Sequence, residues 1–350
     1  MKTGGGRTDL SMRPTGWFQV CWSWDLPVDA VVPMRYFGTD LVAFRDRSGR
    51  VRILDAYCQH LGASLAYGGR VVDEGIQCPF HGWVWSPEGR NMCIPYQERP
   101  NTARRIRPWE VVECNESVYL WHDESGRPPL WQPPRLADLG AHVEHGEFHP
   151  AQPRGRAHFL ELTVHPQQVV ENAVDPHHFQ FVHHTPLSPR LLDSRMDGPT
   201  WYSRLGFGRR WEIRTIEGEV SDDTMNTLII LWSGVGLSLN VERVKAGMRA
   251  IAICTTPVDE HTSEIFATYW LEKVPEDATP GSYDERLADA KASLPDDVAI
   301  WNHQIYLEPP ALATSEGEGF RRLRRWAAQF YPADHDTRTP AASSRTRKGR

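Results

Sequence analysis

From Gly16 onward the chain alternates apolar and polar positions in short runs: Trp17 to Trp22, Val31 to Phe37, Asp40 to Arg45 and Val51 to Asp55. Turn residues such as Asp46-Arg47-Ser48-Gly49 separate them. Period-two alternation broken at short intervals by such turns predicts antiparallel strands. Gly82 to Pro87 and Val111 to Trp121 continue the pattern, and a small β domain over residues 14–125 is expected. Pro128, Pro129, Pro133 and Pro134 mark residues 126–135 as a semi-rigid connector.

A second domain is expected over residues 136–333. It opens with a helical segment, Pro166 to His184. Strand patterns follow at Trp201 to Phe207, Trp211 to Ile216, Thr227 to Trp232, Leu237 to Val244, Met248 to Thr256 and Ser263 to Leu271. Strands so closely spaced favour antiparallel pairing over βαβ crossovers. Asp284 to Ser293 and Pro295 to Glu308 read as helices. Phe320, Leu323, Ala327 and Phe330 share one helical face, with Arg321, Arg322, Arg324 and Arg325 mostly on the other, read as a solvated surface. The fold class is α+β. Residues 1–13 and 334–350 are polar and expected to be disordered.

Composition narrows the function. A net charge of −6 argues against a general nucleic-acid binder, which presents a basic face. The longest uncharged stretch, Thr224 to Val241, is broken by Ser233, Gly234, Gly236 and Ser238 into two strands and a turn, so no segment of about twenty apolar residues spans a membrane. The N-terminus has no apolar core of a secretory signal. Of six cysteines, Cys21, Cys93, Cys114 and Cys254 show no disulfide-framework spacing, which favours a reducing cytoplasm.

The chemistry concentrates first between Cys58 and His81. Cys58 and His60 are separated by one residue, Cys78 and His81 by two, and seventeen residues lie between the pairs. Two thiolates and two imidazoles so arranged can hold a two-iron cluster, with both cysteines on one iron and both histidines on the other. Glycine follows each pair, at Gly62 and Gly82. It lets the backbone turn tightly over the cluster sulfurs. Zinc fingers instead pair like ligands in sequence, which does not fit. The stretch resembles the Rieske [2Fe–2S] proteins.

A second set lies in HPQQVVENAVDPHHFQFVHH, which holds five of the fifteen histidines. Asp175, His178 and His183 could converge on one side of an irregular helix, and non-haem Fe(II) oxygenases bind iron with two histidines and one carboxylate. Asp175 also immediately precedes Pro176 and is placed to cap a helix that starts with proline. His177 and His184 sit one position off the spacing and read as packed or exposed.

A Rieske motif followed by Asp-x2-His-x4-His is similar to the oxygenase components of Rieske non-haem iron oxygenases. The resemblance implies that His178 and His183 are iron ligands and that Asp175 links the iron site to the cluster, with Asn172 close to that path. It also implies a distant carboxylate as third ligand. Asp297, four before Trp301, holds the matching position, with Asp296 as its neighbour; both are also first-turn carboxylates of the kind a helix dipole favours. ENAVDPHHFQFVH, DVAIWNHQIYLEPPAL and FRRLRRWAAQFYP are similar to segments of the 3-ketosteroid 9α-hydroxylase oxygenases, with the cholesterol 7-desaturases and aminopyrrolnitrin oxygenase nearby. No steroid-specific pattern is found between Thr185 and Gly208.

The resemblance further implies a helix-grip-like catalytic domain, a [2Fe–2S] cluster, a mononuclear Fe2+, O2 as co-substrate and a head-to-tail homotrimer. Electrons would come from a separate NAD(P)H-dependent reductase or ferredoxin, since the chain has no Gly-x-Gly-x-x-Gly fingerprint. The expected reaction is hydroxylation of a hydrophobic, polycyclic, steroid-like substrate. N-oxidation, demethylation, desaturation or oxidative cyclisation are alternatives on the same iron. A Rieske ferredoxin-like electron carrier is the different-class alternative, and it would need only the first part of the chain.

Overall fold

The computed structural model describes residues 10–141, 147–207, 226–244 and 246–332. The expected strand Trp211 to Ile216, residues 1–9 and the tail 334–350 lie outside them. The fold is α+β with antiparallel sheets throughout.

The N-terminal part holds three small sheets. One is ordered β1-β11-β10, built from Gly16–Trp22, Ser117–His122 and Val111–Cys114. A second, β2-β3-β4-β9, joins Val31–Tyr36, Thr39–Arg45, Val51–Asp55 and Pro108–Trp109. The third, β5-β6-β7-β8, joins Arg70–Val72, Gly75–Gln77, Val84–Trp85 and Asn91–Cys93. The run Val111 to Trp121, read as one strand, is a hairpin: Asn115 and Glu116 both take positive φ and reverse the chain. Asn tolerates that conformation, but Glu gives no such cue, so alternation hid the turn. The Glu116 carboxylate then accepts N–H bonds from Ala151, Gln152 and Trp270, tying this turn to the C-terminal part.

The C-terminal part is a seven-stranded sheet, β12-β18-β17-β16-β15-β14-β13. Its strands are Arg156–Leu162, Ser263–Leu271, Gly247–Pro257, Leu237–Val244, Asn226–Ser233, Thr200–Phe207 and Arg190–Asp197. The two edge strands, β12 and β13, were not anticipated. Exposed and charged positions in both blur the alternation, as edges tolerate. One face of the sheet carries the helices α1 (Pro166–Val170), α2 (His178–Phe181), α3 (Ser282–Lys291), α4 (Leu294–Trp301) and α5 (Gly317–Ala327). Val170, Ala173, Trp201, Tyr269, Val298 and Trp326 are among the core residues between them.

The opposite face meets the N-terminal sheets. Phe18 packs so close to Gly236 that a Cβ there would sit 2.2 Å from its ring. Trp22 Nε1 donates to Thr268 Oγ1 at 2.9 Å. The proline strip is bound into the fold: Trp131 O accepts from Trp17 Nε1 at 2.8 Å, and Trp131 Nε1 donates to Ser233 Oγ at 3.0 Å.

Four further expectations are corrected. Pro166 to His184 is not one helix but α1, a 3-10 turn Glu171–Val174, a break at Asp175 and the single turn α2. A residue before proline is pushed out of the helical region, and Asp175 sits at φ −109°, ψ 85°. The helix expected to reach Glu308 ends at Trp301. The arginine run is not all solvated: Arg324 forms a paired, mostly buried contact with Glu171, and Arg322 lies over Trp201. The stretch read as disordered to residue 13 is ordered from residue 10, with Met12 buried and the Ser11 carbonyl bonded to His165.

Candidate active site

The cluster motif occupies two loops of similar build. In the first, Cys58 N donates to Ala63 O at 2.9 Å and Gly62 N to Cys58 O at 2.9 Å. In the second, Cys78 N donates to Trp83 O at 2.8 Å and Gly82 N to Cys78 O at 3.1 Å. Gly62 and Gly82 sit at φ +77° and +72°, where a side chain is strained. Both thiols are buried, and neither is in a disulfide. The His60 and His81 rings stand 4.7 Å apart, with Trp83 stacked on His60 at 4.5 Å. Trp85 Nε1 donates to Cys58 Sγ at 3.3 Å, a bond that stabilises negative charge on that sulfur. His81 Nδ1 is buried with no hydrogen-bond partner. A buried nitrogen so placed calls for a ligand.

Among the described residues the one trio of metal-binding donors within 4.8 Å of one another is His178, His183 and Asp297. The four donors of the cluster loops do not gather about one point as a single zinc requires, and they suit a group spanning two irons.

The second site is made by the break in the central segment. His165 Nδ1 accepts from Gln167 N at 3.0 Å and starts α1. After the 3-10 turn, Asp175 Oδ1 accepts from the amides of His177 and His178, at 3.0 and 3.2 Å, and caps α2. The Asp175 carbonyl oxygen lies 2.5 Å from His178 Nδ1. That bond takes the Nδ1 proton and leaves Nε2 as the free donor, the arrangement usual for a ligating histidine. His183 follows one turn later, its ring 5.4 Å from that of His178. Asp297, in the first turn of α4, brings Oδ2 to 3.3 Å from His183 Nε2. The neighbouring Asp296 is exposed and outside the trio. Burial lowers the pKa of His178, so its ring stays neutral. Burial, the largest single influence, opposes charge on His183, but the Asp297 hydrogen bond and the charges of Asp297, Asp296 and Glu242 together raise that pKa. Two imidazoles and a carboxylate on one side, with the other side open, fit a ferrous ion.

That open side is a cavity of about 1000 Å³, between the helices and the inner face of the sheet. Val169, Ala173, Phe179, Ile230, Ile251 and Trp301 give it apolar walls. A smaller cavity of about 140 Å³ reaches His178 and Asp297 from behind, past Asn172 and Asp175. Sequence reasoning missed three features of the site: the Trp85 bond, the Glu171–Arg324 pair, and the polar residues Asn240, Glu242 and Arg249 on the cavity wall. Only the last left a signal, the polar even positions of the strand Leu237–Val244.

A Rieske cluster module joined to a two-histidine, one-carboxylate site defines the class: this is a Rieske non-haem iron monooxygenase, oxygenase component. Residues 16–114 match the Rieske [2Fe-2S] domain, and residues 120–331 match the 3-ketosteroid 9alpha-hydroxylase C-terminal domain. The chain belongs to that 3-ketosteroid 9alpha-hydroxylase family.

Its relatives include the cholesterol 7-desaturase nvd of Bombyx mori, 29% identical over 336 residues, covering 91% of this chain and 69% of the relative. The 3-ketosteroid-9-alpha-monooxygenase oxygenase component of Rhodococcus rhodochrous is 28% identical over 306 residues, covering 84% and 75%. Among solved structures, dicamba monooxygenase bound to dicamba superposes with a TM-score of 0.66 at 18% identity, over 92% of this chain and 98% of that one. NdmB of Pseudomonas putida CBB5 gives 0.66 at 18% identity, over 89% of each. Those two likenesses speak for the fold.

Proposed function

We propose that the chain is a terminal oxygenase that uses O2 and electrons from a separate NAD(P)H-dependent reductase or ferredoxin to hydroxylate a hydrophobic, polycyclic, steroid-like substrate. The observation that carries this reading is the large apolar cavity opening directly on His178, His183 and Asp297. Cys58, His60, Cys78 and His81 would hold the [2Fe–2S] cluster, and His178, His183 and Asp297 the mononuclear Fe2+. When bound, the cluster would supply stored electrons and the ferrous ion would supply oxygen activation.

The chain's own groups set the conditions. Asp175 fixes the His178 ring through its carbonyl and caps α2 through its carboxylate. Its second oxygen is 3.7 Å from His178 Nδ1 and partly exposed, available to a second copy's cluster histidines. Leu61, Tyr67, Phe80 and Tyr96 form an exposed apolar rim beside the cluster loops, while Phe181, Ile300 and Ile305 are exposed beside the iron site. Apolar surface of this extent suits docking of one copy's cluster module on the next, in a head-to-tail homotrimer. We assign residues 14–125 to the cluster domain, 126–135 to the connector and 136–333 to the catalytic domain. Cys21, Cys93, Cys114 and Cys254, none of them in a disulfide, support a reducing compartment such as the cytoplasm. No helix among the described residues is long and apolar enough to cross a membrane.

The test is iron content and oxygen uptake. Wild-type protein should hold about three irons per chain and, with a reductase, consume O2 only when substrate is present. His178→Ala should keep the cluster spectrum, lose the third iron and lose turnover; full turnover in that variant refutes the assignment. The relatedness to a desaturase supports desaturation as the second outcome on the same iron, which product analysis separates from hydroxylation.

A further inference from the structure

The cavity floor is unusual for a strand packed on both faces. Along β16, Leu237, Leu239 and Val241 are buried against the far side of the sheet, while Ser238, Asn240 and Glu242 face the cavity. Half-buried strands normally turn their polar side to water; here it is turned inward under the helices. The flanking strands place Ile230 and Trp232 on one side and Ile251 and Ile253 on the other. A polar stripe thus runs down an apolar floor. Polar groups taken out of water cost free energy unless something bonds them.

The internal partners leave a definite remainder. Asn240 Nδ2 donates to Ser238 Oγ at 3.2 Å, and Ser238 Oγ donates to Ile253 O at 3.3 Å. The Ser238 hydroxyl hydrogen and one of the two Asn240 amide hydrogens are thus used within the floor. Arg249 stands directly across from Glu242. Its Nε donates to Glu242 Oε2 at 2.6 Å, and its Nη1 to Asp289 Oδ2 of α3 at 2.9 Å. One cation is therefore shared between two carboxylates. The acceptors left over are the second oxygen of Glu242, which takes no hydrogen bond among the described residues, and the carboxamide oxygen of Asn240; one Asn240 N–H and further N–H groups of Arg249 are left as donors beside them.

We propose that Glu242, clamped by Arg249, is a specificity-determining residue that accepts a hydrogen bond from a substrate hydroxyl, so that the enzyme prefers a polycyclic alcohol to the matching ketone. The inference rests on reading this cavity as the substrate site. A ketone oxygen set against a carboxylate leaves two acceptors facing each other with no proton between them, and a site built to bond a hydroxyl discriminates strongly against an analogue lacking it.

The test uses the full chain with its cluster and iron. Quenching of tryptophan fluorescence reports binding, since Trp232 and Trp301 line the cavity. Two matched pairs are titrated: a 3β-hydroxysteroid with its 3-ketone, and 2-decalol with 2-decalone. The alcohol should bind about tenfold or more tighter than the ketone in each pair. In Glu242→Gln the carboxamide can donate as well as accept, so the ketone should tighten and the ratio fall to roughly threefold or less. In Glu242→Leu the ratio should fall because the alcohol weakens. Unchanged cluster absorbance and circular dichroism confirm that each variant is folded.

Equal affinities for 2-decalol and 2-decalone in the wild type, a ketone preference, no binding of either, or an unchanged ratio in Glu242→Gln overturns the inference. Discrimination between the decalin compounds with no binding of either steroid supports it and overturns the steroid reading instead.

Discussion

The Glu171–Arg324 pair anchors the C-terminal helix beneath the iron site, and its removal gives a worked prediction. Glu171 Oε1 accepts from Arg324 Nε at 2.8 Å and Oε2 from Arg324 Nη2 at 3.1 Å, with both side chains only 10% and 16% exposed. Gln167 Nε2 adds a third bond at 3.1 Å, and the guanidinium lies 4.4 Å from the Tyr306 ring. Glu171→Ala leaves a mostly buried cation with only the exposed Glu308 carboxylate, 3.5 Å away, as an ionic partner. Breaking a buried pair costs about 3–5 kcal/mol, and the residual exposure together with the bond from Arg324 Nη1 to Leu307 O argues for about 3 kcal/mol. At roughly 2–4 °C per kcal/mol for units of about 150–250 residues, the catalytic part should melt about 6–12 °C lower.

Function should follow. Glu171 opens the 3-10 turn that sets Asp175, so the mononuclear iron should load less fully while the cluster spectrum persists. The assay is differential scanning calorimetry with parallel iron analysis on Glu171→Ala, Glu171→Leu, Arg324→Leu and the double Leu variant. The double variant should be more stable than the sum of its two singles predicts, because no charge is left stranded. A melting shift under about 2 °C in Glu171→Ala, or strict additivity in the Leu cycle, refutes the reasoning.

Three other expectations are testable. His165 and His122 are held down to about 4 by burial, whereas a histidine in the unfolded chain titrates near ~6.5. In that window the unfolded chain binds protons the folded one refuses. Stability should therefore be full above about pH 6.5 and fall as pH drops toward 4, by up to about 1.4 kcal/mol per unit for each. Urea midpoints at several pH values check this, and His165→Asn, which keeps the cap acceptor of α1, should reduce the slope. Asp175→Asn should leave both metals bound yet slow electron transfer between them, measured by stopped-flow reoxidation of the cluster; loss of the mononuclear iron would make Asp175 a ligand instead. Trp85→Phe deletes the hydrogen bond to Cys58 Sγ. At about 1 kcal/mol of preference for the reduced cluster, the potential should fall by roughly 40 mV in a redox titration.

The sequence by itself determined the chemistry and most of the framework. The candidate ligands are side chains held by local turns, so Cys58-x-His60 and Cys78-x2-His81 stand out as spacing alone, while His178-x4-His183 stood out as spacing and took its proposed role from the resemblance. Strands such as Val51–Asp55, Leu237–Val244 and Ser263–Leu271 were legible as short runs rich in apolar and β-branched residues between turn residues. Asp297 was reachable only through family resemblance, since nothing local distinguishes it from Asp296.

The tertiary structure alone decided three things. It showed that the central segment breaks at Asp175, where proline stiffness and side-chain capping overrule helical periodicity. It drew Arg324 out of an arginine run that reads as solvent-facing, because its partner Glu171 lies far away in the chain. It also turned the polar side of β16 into the cavity, which alternation cannot reveal: the pattern separates two faces of a strand but does not say which one the helices will cover.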